Sequence, residues 1–147
     1  MDYDALRDGL AQAVPFNVHL GLEIVEVGPG LGVVRLPEGE HLVNHVGSQH
    51  AGALFGAGEA ASGAAFISAF AERLAEIRPL AKGASIDYLR IARGPITATG
   101  RLTDADALLA TLDAEGTVEF PVEVELTDGE DTVVARMTVN WHVRKNA

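Results

Sequence analysis

NHVGSQHAGALFGAGE, residues 44–59, is the stretch on which the reading of the whole chain turns. It begins as a polar turn and runs into a segment of small residues. From Ala51 to Ala71 there are nine Ala, four Gly, three Phe, one Leu and one Ile, and only Glu59, Ser62 and Ser68 are polar. That composition predicts a long helix over 51–76, apolar on nearly every side. A lone carboxylate in such a helix costs free energy to bury. Glu59 is therefore either tolerated by the fold or the reason for the helix.

The totals frame what surrounds it. A chain of 147 residues, 48% hydrophobic and 22% charged, is expected to form one soluble domain over 1–147. The formal charge of −10 argues against nucleic acid and against an anionic membrane surface as partners. There is no cysteine, hence no disulfide framework and no thiolate nucleophile. The opening MDYDALRDGL is too acidic to be a signal peptide. Segment 51–71 is too rich in Ala and Gly, and carries Glu59 too near its middle, to cross a membrane. A cytoplasmic location is the expectation. Gly52 and Gly56 have the spacing that permits close approach to a neighbouring backbone.

Working outward, residues 2–14 read as a short amphipathic helix that Pro15 helps to end, giving an N-terminal helix over 1–15. Residues 22–27 and 32–36 read as two strands joined by Gly28-Pro29-Gly30. Residues 84–92 and 96–103 read as two more, separated by Gly94-Pro95, with Pro79 closing the central helix before them. Residues 104–116 form a small helical insertion, Gly116 being its cap. Strict alternation follows: Val118, Phe120, Val122, Val124 and Leu126, then, past Asp128-Gly129, Val133, Ala135, Met137, Val139, Trp141 and Val143. Two period-two runs about a DG turn make a hairpin with one buried face. Pro121 hints at an edge or a bulge. Short connections imply an antiparallel sheet. A sheet of one apolar face, curled about an all-apolar helix, satisfies both elements: an α+β fold of about five to six strands around a long central helix.

That arrangement resembles the hotdog fold. Asn44, His50-Ala51-Gly52 and Glu59 carry the resemblance. PaaI-type acyl-CoA thioesterases of phenylacetate degradation have an Asn, a His-Gly-Gly six residues on, and an Asp or Glu nine residues after that His. The spacings here are six and nine. The run IDYLRIARG is similar to the strand that follows the helix in those enzymes. The insertion over 104–116, Lys82 and Trp141 look more like an uncharacterised hotdog branch, a domain of unknown function. The resemblance implies that Glu59 is the catalytic carboxylate, as general base on water or as nucleophile. It implies that the Ala51 N–H polarises the thioester carbonyl, that Asn44 orients nucleophile or carbonyl, and that His50 fixes the turn. It further implies an acyl-CoA or acyl-carrier thioester substrate, and a homodimer or homotetramer with the active site at the subunit interface. No cofactor and no metal are implied. Two departures stand out. The family's first Gly is Ala51, which matters if the position needs positive φ. The family's hydroxyl partner for water has no evident counterpart, with Gly63 and Ala81 at the expected places and Ser62 and Ser85 nearby.

The chemistry can also be argued without the family. A helix N-terminus offers free N–H groups and the positive end of a dipole to a developing oxyanion. That dipole favours an ionised Glu59, and burial raises its pKa. For substrate binding, Gly52, Phe55, Ser62, Lys82, Tyr88, Arg90 and Arg93 are the candidates, the cations, with Arg101, standing out against an acidic background as contacts for phosphates. Leu54, Phe55, Phe66 and Tyr88 are expected mainly in the core. Two other functions compete. A hotdog dehydratase would pair His45 with Glu59, fourteen residues apart, but the Pro-rich segment of such enzymes is missing. A non-catalytic acyl-CoA-binding module is the other. His41, His45 and His50 lack a recognised metal-ligand spacing.

Overall fold

The computed structural model describes residues 1–147. Helix α1 (Tyr3–Ala13) starts where the Asp2 carboxylate accepts the Ala5 N–H. Pro15 ends α1 and also opens a second, five-residue helix, α2 (Pro15–His19), because proline suits the first position of a helix. Strands β1 (Glu23–Gly28) and β2 (Leu31–Leu36) form a hairpin. The central helix α3 (Ala51–Ala69) follows, then β3 (Ile77–Tyr88), β4 (Ile96–Arg101), α4 (Ala105–Glu115), β5 (Thr117–Thr127) and β6 (Val133–Lys145). All six strands lie in one antiparallel sheet, ordered β1-β2-β4-β5-β6-β3. This is the α+β hotdog arrangement, with α3 packed into the concave face of the sheet.

Three boundaries differ from the sequence reading, and Pro121 finds a local edge. Helix α3 ends at Ala69, and residues Ala71–Glu76 tighten into 3₁₀ turns, held by Arg73 bonded to Glu76 and to Asp113 of α4. Pro79 does not close a helix but sits inside β3, opposite Val143. A proline is admissible there because β3 is an edge strand, whose outer side needs no donor. Residues 89–92 leave the sheet, the N–H groups of Leu89 and Arg90 both donating to Val134 O. Pro121 lies in an inner strand, yet β4 pairs with β5 only as far as Glu123, so at Pro121 no neighbour waits for an N–H.

The packing depends on glycine. Gly32 of β2 and Gly100 of β4 are paired across the strands. A Cβ on Gly32 would lie 2.5 Å from Ala61 O, and one on Gly100 2.6 Å from the same atom. Backbone meets backbone there, so α3 can sit deep in the sheet. Along α3, Ala57, Ala61 and Ala65 are fully buried. Beyond them Phe66, Phe70, Phe120 and Trp141 form an aromatic cluster with ring centroids 5.1–5.8 Å apart. Two serines fix the helix against the sheet. Ser68 Oγ accepts from Gly30 N at 3.1 Å, and Ser62 Oγ accepts from Trp141 Nε1 at 3.2 Å. No helix is long and apolar enough to cross a membrane.

A methyl group added at Gly100 has only the α3 backbone to push against. Gly100→Ala is expected to lower stability by about 1–3 kcal/mol, the usual cost of overpacking. In urea denaturation this reads as a lower midpoint at unchanged slope. An unchanged midpoint would show that helix and sheet can part freely.

Candidate functional site

The turn before α3 is built by Asn44. Its Oδ1 accepts the N–H groups of Val46 (3.0 Å) and Ser48 (3.1 Å), and its Nδ2 donates to Ser48 Oγ at 2.9 Å. Gly47, at φ +78, supplies the left-handed residue that the turn requires. Asn44 thus shapes the loop as in an Asx turn, with one Nδ2 hydrogen left without an acceptor in the chain. Gln49 joins the loop to its surroundings: its Nε2 donates to Pro37 O and to Gly94 O, both at 2.9 Å, and its backbone N–H donates to Ala92 O.

His50 is the N-cap of α3. Its Nδ1 accepts the Gly52 N–H at 2.8 Å, so the ring hydrogen sits on Nε2. Ala53 and Leu54 donate back to His50 O. Of the first N–H groups of the helix, that of Ala51 alone finds no acceptor in the chain. Ala51 takes an ordinary helical φ, so its Cβ introduces no strain where the related motif has glycine.

A cleft of ≈ 510 Å³ opens over this point, lined by Asn44, Ser48, Ala51, Leu54, Tyr88 and Arg90 among others. Tyr88 Oη donates to Ala51 O at 3.1 Å, pinning the end of β3 to the start of the helix. Of the residues singled out in the sequence, the fold thus brings Asn44, Ala51, Tyr88 and Arg90 together. Gly52 and Phe55 lie just outside, exposed on α3. Arg93 is exposed on the adjoining loop. Lys82 stands elsewhere, in an ion pair with Glu119 at 2.7 Å. Ser62 is fully buried and committed to Trp141 and to Glu59 O. Two core expectations are corrected. Leu54 and Phe66 are core, but Phe55 and Tyr88 are 36% and 48% exposed, since no second layer covers that side of α3 and β3. His45 is exposed in the turn, outside the cleft. No three metal-ligating side chains converge anywhere. Ser48 and Gln49 escaped the sequence reading. Their signal was the Asn-x-x-Gly-Ser spacing, which places Ser48 across the Asn44 turn.

Glu59 is half-buried on the face of α3 that also presents Ala51, Gly52, Phe55 and Gly63. Ala51, Phe55 and Glu59 follow an i, i+4 stripe that the sheet leaves uncovered, and the stripe ends at Gly63, against Trp141. Burial pushes its carboxyl above the ordinary carboxylate range, and no hydrogen bond or opposite charge pulls it back. The carboxylate is poorly solvated and unpaired, the state suited to a base. Along the helix axis Glu59 lies about 12 Å from Ala51, at 1.5 Å per residue.

Residues 4–143 match the model of one family. The chain belongs to the family described as Domain of unknown function (DUF4442). This DUF4442 chain is similar, at 31% identity, to a Pseudomonas aeruginosa protein of unknown function described as a probable thioesterase, with TM-score 0.86 over 97% of this chain and 95% of that one. It is similar in fold to the Escherichia coli PaaI protein of the phenylacetic acid degradation operon (19% identity, TM-score 0.72, 95% and 90% covered). The same holds for the phenylacetic acid degradation protein PaaI from Thermus thermophilus, solved as a mutant (21%, 0.67, 88% and 98%). No curated protein matches significantly.

The raised pKa of Glu59 has a consequence for stability. Folding favours its protonated form, so this stabilisation is present at low pH and is lost as pH rises through the raised pKa. Glu59→Gln removes the cost of ionisation. The variant is expected to melt above the parent at neutral pH, with the gap closing as the solution is acidified. A variant that melts lower than the parent at neutral pH would mean that Glu59 has a compensating partner.

Proposed function

We propose that this chain is a thioesterase that hydrolyses acyl-CoA-type thioesters. The observation that carries the reading is the unspent N–H of Ala51 at the head of the cleft, with an unpaired, half-buried Glu59 on the same uncovered helix face. Glu59 takes a proton from water as the water oxygen bonds to the carbonyl carbon. The carbonyl electron pair moves onto oxygen, where the Ala51 N–H stabilises it. Collapse breaks the C–S bond, and the thiolate receives the proton from Glu59. The products are a free acid and a thiol, and Glu59 is regenerated. Arg90 in the cleft lining and Arg93 on the adjoining loop make no ion pair, and in this reading they meet the phosphates of coenzyme A. The relative described as a probable thioesterase supports the same reading.

The site is completed by a second copy. Phe55 lies midway between Ala51 and Glu59, so two antiparallel α3 helices crossing at Phe55 set Glu59 of each beside Ala51 of the other. This bridges the separation within one chain. Strand β3 pairs only with β6 and leaves a twelve-residue edge free, an arrangement that proteins normally cover. The chain exposes 7900 Å², where a monomer of its mass is expected to expose about 7,200 Å². These features support a homodimer, or a tetramer built from such dimers.

Thiol release measured over an acyl-CoA chain-length panel tests the function. Turnover is expected in the parent, a loss of about 10³-fold in Glu59→Gln, and a smaller loss in Asn44→Ala as the turn loosens. Undiminished turnover in Glu59→Gln would overturn the mechanism. Tight binding without turnover would make the protein an acyl-CoA-binding module. Sedimentation is expected to give a dimer or tetramer, and an active monomer would sink the shared site.

A further inference from the structure

The sequence offers no hydroxyl partner in the expected places after Glu59, yet the structure holds one before the helix. Ser48 is 6% exposed and lines the cleft beside Ala51. The direction of its proton follows from Asn44. Because Asn44 Oδ1 accepts two backbone N–H groups, the amide cannot be turned around, and Nδ2 must be the group that donates to Ser48 Oγ. Ser48 Oγ is therefore an acceptor toward Asn44, and its own hydrogen points elsewhere. No acceptor in the chain receives it. Even Gln49 Oε1, next in sequence, is left without a partner although Gln49 is only 3% exposed. Buried polar groups are normally paired. Ala51 N–H and Ser48 O–H thus stand unspent at the cleft, in the company of the second Asn44 Nδ2 hydrogen and of Arg90, and suit an accepting oxygen.

We propose that the Ser48 hydroxyl is a second donor to the carbonyl oxygen of the bound thioester, working beside the Ala51 N–H; the inference rests on the thioesterase reading and adds a catalytic residue to it. As water adds to the carbonyl carbon and its proton passes to Glu59, the carbonyl electron pair settles on an oxygen held from two sides. Ser48 keeps its proton throughout. When the C–S bond breaks, the electron pair returns to re-form the carbonyl, and the thiolate takes the proton back from Glu59. Asn44 acts as a positioning residue, turning the hydroxyl outward. This gives the loop Asn a task that needs no contact with substrate.

Three variants and two readouts test it. Ser48→Ala is expected to lower kcat by about 100-fold, the scale of one oxyanion donor, with KM changed far less. Ser48→Cys, of similar shape but with a weak donor, is expected to behave like Ser48→Ala. Ser48→Thr is expected to restore most of the rate. The second readout needs no turnover: the infrared carbonyl stretch of the ketone analogue of hexanoyl-CoA, with CH₂ in place of sulfur, bound to each protein. The band is expected to fall on binding to the parent and to move back toward its free value in Ser48→Ala and Ser48→Cys. An unshifted band in the parent, an identical band in parent and variants, or failure of the analogue to bind would overturn the proposal. A Ser48-dependent shift in a parent that hydrolyses no thioester would uphold the donor and overturn the thioesterase reading alone.

Discussion

The contact between Ala61 and the Gly32–Gly100 pair governs the molecule. Two strands that have no side chains at that level allow a helix backbone to touch a sheet backbone. The small residues of α3 are the other half of the same fit. A larger residue on either side would lift the helix, and everything hung on its N-terminus would move with it. The alanine-rich composition, unpromising as a hydrophobic core, is the consequence of choosing proximity over side-chain volume.

Proximity then decides where polar groups can go. With α3 sunk into the sheet, its exposed N-terminus emerges beside three loops. Gln49 ties two of them together through Pro37 O and Gly94 O, and Tyr88 ties the end of β3 to Ala51. The Asn44 turn is held by its own Asx bonds. The result is a helix end whose N–H groups are capped except for one. The uncapped one opens on the cleft, so the bonds that anchor the loops also leave one donor free there.

Much of this was legible in the residues, for physical reasons that vary along the chain. The β5–β6 hairpin showed itself because one face is buried and the other is not, which writes a period of two into the sequence. Helix α3 showed itself by composition, and Asn44, His50, Ala51 and Glu59 by spacing. Strand β3 showed itself only over its second half, 84–88, within the strand expected over 84–92, while 77–83 stayed hidden. It is exposed on nearly every residue, so burial imposes no alternation, and Pro79 within it mimics a helix stop. The short α2 was hidden by the same residue that announced the end of α1. At the site, Ser62 looked available because sequence cannot tell that Trp141 closes over it. Ser48 was overlooked because its role depends on which end of the Asn44 amide faces it, and only the paired backbone N–H groups settle that.

Trp141 has a use beyond packing. It is the only tryptophan in the chain, it is 9% exposed, and its indole N–H reaches Ser62, whose hydroxyl in turn bonds Glu59 O. The sole strong fluorophore is therefore wired to the backbone of the carboxylate itself. Any shift of α3 against β6 changes the polarity and bonding of that indole. The protein carries its own optical gauge of the helix seat, readable in solution without a label.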